Sequence, residues 1–213
     1  MVHICRTIVW VSNKPSIGWV ELAPDDGSNF YQKERSRYFD SKNGVKNTSL
    51  IHSVKISDLK PGTTYRYRVY SQEILDHQGV EVIYGRIAAT DVWSKKPLCF
   101  TTNDRDKKEI SFTVLNDIHG RTNDISELLN AVNYEENDMV IYNGDMVSQS
   151  KSEEQVFNSF MNKSIELFAQ EKPMYYARGN HETRGVFATS FQNYFSVKEP
   201  HLYFTLRQGP AFF

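Results

Sequence analysis

The chain has 213 residues, 39% of them apolar and 13% aromatic, and its 25 Lys and Arg against 26 Asp and Glu leave a net charge of -1. That is a globular composition with enough chain for two modest domains. The charge is balanced and dispersed, which excludes nucleic-acid binding as the expected role because phosphate-backbone binding needs a concentrated excess of Lys and Arg. No apolar stretch approaches the ~20 residues of a membrane span, and residues 1–6 lack the long apolar centre of a signal peptide.

From residue 7 to about 102 the chain reads as short strands separated by turn signals: 7–11, 17–22, 49–56, 65–70 and 82–85, with 98–100 as a final strand. This spacing predicts an all-β sandwich. Trp10 and Trp19 are expected in its core, and His52 and His77 are expected to be ordinary sheet and loop residues. Cys5 and Cys99 fall in strand-like runs near the two ends of this domain and read as buried thiols, with a disulfide the lesser expectation. Residues 59–69, Leu-Lys-Pro-Gly-Thr-Thr-Tyr-Arg-Tyr-Arg-Val, resemble the fibronectin type III corner. The resemblance implies that Pro61-Gly62 makes the turn and that Tyr65 anchors it through its hydroxyl. No chemistry is assigned to this domain.

The polar run 102–108 is the expected linker, which gives a β-sandwich over 1–102 and a second domain over 109–213. In the second domain the apolar runs 110–115, 139–143 and 173–178 read as strands. Between them, residues 123–133 carry Ile125, Leu128, Leu129 and Val132 at helical spacing, and 152–170 carry Val156, Phe157, Phe160, Met161, Ile165 and Phe168. Both stripes are expected to pack on the sheet. Helices that return the chain make the strands parallel, so the expected fold is the N-terminal part of an α/β sheet. A short helix is expected within 185–195.

Each strand run stops at polar residues: Asn116-Asp117-Ile118-His119-Gly120, then Gly144-Asp145, then Gly179-Asn180-His181-Glu182. The carboxyl edge of an open α/β sheet is where such folds bind ligands. Alone, Asp117 and His119 read first as an Asx-turn carboxylate beside a surface histidine. In extended chain, however, positions i and i+2 share a side, so both could reach one divalent cation. Three donor clusters on one sheet edge favour the metal reading.

In order and spacing, Asp117-x-His119, Gly144-Asp145 and Gly179-Asn180-His181-Glu182 resemble the calcineurin-like metallophosphoesterases, and the resemblance covers residues 109–213. It implies two divalent or transition metal ions, Fe, Zn or Mn, with Asp145 bridging, Asp117 and His119 on one ion, Asn180 on the other, and His181 as the catalytic residue near the leaving group. Arg178 reads either as a contact for a phosphate oxygen or as a solvated strand-end residue. A β-sandwich ahead of this sheet resembles purple acid phosphatases, and residues 201–213 resemble the hairpin that follows in those enzymes. The implied activity is metal-dependent hydrolysis of a small phosphate ester, a monoester first. The alternatives are a phosphodiesterase of the same fold and a binding module in which the sandwich carries the function.

Some positions depart from these patterns. Purple acid phosphatases show Asp-x-Gly where this chain has His119, and an iron-ligating tyrosine where it has Ser148. A purple iron centre is therefore not expected. The serine/threonine protein phosphatases place Asp-Arg after their Gly-Asp, and this chain does not. The family's lone His and Gly-His-x-His ligands have no counterpart after His181, because His201 is the only later histidine. The chain by itself is thus expected to be feeble or inactive and to hold fewer than two ions tightly.

Overall fold

Two strands far longer than the turn signals suggest organise the N-terminal domain. β1 runs Arg6–Pro24 and takes in both 7–11 and 17–22. The polar stretch around Pro15 is a bulge rather than a turn, since the pairing of β1 shifts register between Val11 and Ser16. There follow β2 (Ser36–Phe39), a small hairpin of β3 (Ser41–Lys42) and β4 (Val45–Lys46), β5 (Thr48–Ile56), β6 (Thr64–Gln78), β7 (Glu81–Ala89) and β8 (Leu98–Thr101). The first arm of β1 pairs with β5, and its second arm lies between β2 and β6, all antiparallel. β7 and β8 continue along the other edge of β6. The N-terminal β domain is hydrogen-bonded through both arms of β1 into one six-stranded network.

Its core is Val20, Leu22, Val54, Ile56, Leu59, Tyr65, Tyr67, Val69 and Phe100. Trp19 is buried and stacks on Tyr70 with centroids 4.9 Å apart, whereas Trp10 is only half-buried. The corner is as expected: Tyr65 Oη accepts from the backbone N–H of Lys60 at 3.0 Å. Two expectations are corrected. Cys5, just outside β1, is exposed and Cys99 is half-buried, and neither is in a disulfide. His52 is a buried hub rather than an ordinary sheet residue. Its Nδ1 lies 3.2 Å from Asp40 Oδ2, and its Nε2 lies 3.0 Å from Ser16 Oγ and 3.2 Å from Ser12 Oγ.

The computed structural model describes residues 4–30, 34–104, 106–195, 204–205 and 207–213, and it divides into two units, Met1–Asp104 and Arg105–Phe213. The second unit runs β9 (Phe112–Leu115), α1 (Thr122–Ala131), β10 (Met139–Asn143), a helix α2 over 153–169, and β11 (Met174–Ala177). The three strands are parallel in the order β11-β10-β9. At one level of the sheet Leu115, Tyr142 and Tyr176 are in register and all buried. Phe160 of α2 meets Tyr142 and Tyr176 at centroid distances of 5.4 and 5.7 Å, so this helix covers that face. Apolar stripe and sheet face thus find each other, as β-branched and aromatic strands flanked by amphipathic helices should.

The stripes are narrower than expected. In α1 only Ile125 and Leu129 are buried, one turn apart, while Leu128 is 44% and Val132 52% exposed, the latter lying past the last helical residue. In α2, Val156, Phe160, Met161 and Phe168 are buried, but Ile165 is at the surface. Residues 185–195 contribute a single short turn of helix, Phe191–Tyr194. A last hairpin pairs β12 (Arg207–Gln208) with β13 (Ala211–Phe212), and 201–203 and 206 lie outside the described residues. Among the described residues no helix is long and apolar enough to cross a membrane.

Candidate metal centre

The loops that leave β9 and β10 continue to pair with each other beyond the sheet. The N–H groups of Asp117, His119 and Gly120 donate to the carbonyls of Gly144, Asp145 and Met146 at 3.2, 3.0 and 2.9 Å. Ile118, Met146 and Val147 are buried beneath the loops, and this fixes their polar neighbours on the outer side. The same packing holds Asp117, His119 and Asp145 at φ of 57°, 52° and 57°. Left-handed backbone costs a non-glycine residue about 1–2 kcal/mol, and such strain concentrates at functional sites.

The loop after β11 lies directly on the loop after β10. A Cβ on Gly144 would sit 2.6 Å from Cα and N of Gly179, and a Cβ on Gly179 would run into Asp145, so both positions require glycine. Glu182 ties the two loops together from below. It is wholly buried, with Oε2 accepting from the N–H groups of Asp145 (3.0 Å) and Gly179 (2.9 Å) and Oε1 from those of Met146 (2.8 Å) and Val147 (3.3 Å). Four N–H groups solvate a charge that water cannot reach. Burial, with the Glu182 charge adding, pushes the Tyr176 hydroxyl well above the usual tyrosine range.

His119, Asp145 and His181 converge on this frame, each offering a ligand atom within 4.8 Å of the others. The two imidazoles meet edge to face at 4.5 Å, and the backbone N–H of His181 donates to Asp145 Oδ1 at 3.0 Å. Asp117 stands outside this triple. Its carboxylate is 61% exposed, bonded to the Asn116 amide, and 3.7 Å from His119 Nε2. The carbonyl oxygen of Ser148, 2.8 Å from His181 Nδ1, can only accept, which assigns the proton to Nδ1 and leaves Nε2 with the lone pair.

The donor set fits a cation. Turned as its surroundings favour, the Asn180 amide donates to Asp145 Oδ2 and Oδ1 at 3.1 and 3.3 Å and accepts from Arg184 Nη2 at 2.9 Å; turned the other way, its oxygen faces the carboxylate. Oxygens facing one another in this way are satisfied either by a half-turn of the amide, which makes both contacts hydrogen bonds, or by a positive ion held among them. Mixed imidazole, carboxylate and amide donors suit Zn, Fe or Mn. Arg178 is half-buried at the end of β11, but the cation set against Asn180 and His181 is Arg184, which sequence reading passed over. The available signal was Gly185, whose left-handed backbone turns the chain back at the site.

Parallel strands ending in a metal-ligand cluster, behind an N-terminal β domain, define a metallophosphoesterase-like α/β protein. Residues 110–210 match the family model for calcineurin-like phosphoesterases, and residues 6–95 match that for the purple acid phosphatase N-terminal domain. The chain is thus similar to the calcineurin-like phosphoesterases over residues 110–210 and to the purple acid phosphatase N-terminal domain over residues 6–95. Its fold is similar to that of a purple acid phosphatase isolated from yellow lupin (Lupinus luteus) seeds, with a TM-score of 0.66 and 15% sequence identity over 95% of this chain and 40% of that one. The chain thus spans 40% of the length of that relative. No curated protein matches the sequence.

Proposed function

We propose that the protein hydrolyses phosphate monoesters at a two-metal site built on Asp117, His119, Asp145 and Asn180. The observation that carries this is the convergence of His119, Asp145 and His181 within 4.8 Å at the carboxyl ends of parallel strands. When bound, two divalent ions neutralise the anionic ester and lower the pKa of a bound water. Asp145 lies between the other two loops and is the residue to bridge them, with Asp117 and His119 on one side and Asn180 on the other. Neutral Asn180 adds an oxygen without adding negative charge. His181 gives its Nδ1 proton to Ser148, so its Nε2 is free to carry a proton at the leaving oxygen. Glu182 touches no substrate and keeps Asp145 and Gly179 in place. Monoesters are favoured because the β domain and phosphoesterase domain combine here as in purple acid phosphatases.

The test compares p-nitrophenyl phosphate with bis(p-nitrophenyl) phosphate across Mn, Zn, Fe and Mg, on the protein in its longest natural form and on its Asp145→Asn variant. The expected result is a higher kcat/KM on the monoester and loss of turnover in the variant. No turnover with any metal would remove the enzyme reading, and faster turnover of the diester would overturn the substrate class.

A further inference from the structure

Arg184 is held at the site by its backbone while its side chain stays exposed. Its N–H donates to the carbonyl of His181 at 3.1 Å, and its own carbonyl accepts from Ser150 N–H at 2.7 Å. Gly185, at φ 99°, lies so close to Ser150 that a Cβ there would run into the Ser150 carbonyl. The chain therefore doubles back just after Arg184. From this anchor the guanidinium places Nη1 3.2 Å from His181 Nδ1 and Nη2 2.9 Å from the Asn180 amide.

Asn180 is a partner for Nη2 only while its oxygen is turned toward the guanidinium, where it accepts at 2.9 Å. His181 Nδ1 already carries the proton it gives to Ser148, so Nη1 faces another donor rather than an acceptor. The Asn180 oxygen can face only one side at a time. With its oxygen toward Nη2, its NH₂ donates to both Asp145 oxygens. With its oxygen toward a cation beside Asp145, the same NH₂ group turns to Nη2 and gives it nothing. A cation at Asp145 and an acceptor for Arg184 thus exclude each other. Once Asn180 ligates, the planar fork of Arg184 is left against two N–H groups, and an oxyanion is the chemistry it then requires.

We propose that Arg184 is the phosphate-binding residue of this site and that metal loading makes it available, through the turn of the Asn180 amide, so that metal and phosphate bind cooperatively. The inference rests on the metal-site reading above and deepens its substrate class. A fixed positive fork interacts more strongly with the dianion of a monoester than with the monoanion of a diester. Linkage makes the coupling reciprocal: phosphate tightens the metal as the metal tightens phosphate.

The probes are Mn²⁺ alone and inorganic phosphate, titrated by calorimetry into the wild-type chain, Arg184→Ala and Arg184→Lys, with thermal melts confirming that each is folded. The expected result is that Mn²⁺ raises phosphate affinity in the wild type and that Arg184→Ala lowers phosphate affinity of the Mn²⁺-loaded protein by about tenfold or more. Arg184→Lys should retain part of it. Mn²⁺ affinity without phosphate should be unchanged or slightly higher in Arg184→Ala, because a competing partner of Asn180 is gone. Unchanged phosphate affinity in an Arg184→Ala chain that still binds Mn²⁺ would overturn this inference and leave the metal site standing. Loss of Mn²⁺ affinity in that variant would also overturn it, by making Arg184 structural. A wild-type chain that binds no Mn²⁺ would overturn both readings.

Discussion

At the scale of single residues, buried charge and buried imidazole do the positioning. Glu182 accepts four backbone N–H groups from two loops with no exposure to water. Removing it leaves those donors unsatisfied, so Glu182→Ala should cost about 3–5 kcal/mol by urea unfolding. Glu182→Gln should cost less, since one side of the amide still accepts. Equal stability of wild type and Glu182→Ala would show that the two loops do not need it. His52 makes a pH-dependent contribution in the other domain. Burial lowers its pKa below the ordinary histidine value of 6.5, against the opposing pull of Asp40, which is the charged group acting on it. The folded state therefore resists the proton that the unfolded chain takes up as pH falls below 6.5, and stability declines through that window with a slope of up to ~1.4 kcal/mol per pH unit. Urea midpoints at pH 7.5 and 5.5 should differ less in His52→Gln than in wild type, and identical differences would refute the assignment.

At the scale of elements, the site depends on loops that fit one another more closely than any residue but glycine allows. Gly179→Ala drives a methyl into Asp145, so it should lower metal affinity as well as Tm, whereas Phe160→Ala in α2 should cost about 3–5 kcal/mol through its cavity and leave metal affinity near wild type. Calorimetric titration beside thermal melts separates the two effects. Much of this was legible in the sequence because its signals are local. Apolar runs that stop at Gly-Asp or Gly-Asn are strand ends, and stripes at helical spacing are helices. What was hidden is tertiary. The polar stretch around Pro15 looks like a turn, yet β1 passes through it as a bulge because β5 and β6 pair on either side of it. Leu128 and Val132 fit the helical period, but α1 offers the sheet only the stripe of Ile125 and Leu129. The Asn43-Gly44 hairpin was readable, since that pair supplies the two left-handed residues its turn needs, and it was passed over.

At the scale of the whole molecule, the candidate metal centre lies in one of two unlike units. The matched families divide the same way, residues 6–95 in one and 110–210 in the other. Candidate ligands could be proposed from sequence because each motif closes a strand. The positions of Arg184 and Glu182 could not, because they follow from how three loops stack. The account stands on one claim, that His119, Asp145, Asn180 and their neighbours hold a divalent cation. Calorimetric titration of Mn or Zn into the purified chain and its Asp145→Asn variant, with elemental analysis of both, tests it directly. The account predicts one tightly held equivalent and fewer than two, with affinity in the variant falling by more than the ~10–100-fold that loss of an outer-shell partner costs. No bound metal, or binding that Asp145→Asn leaves untouched, would contradict it.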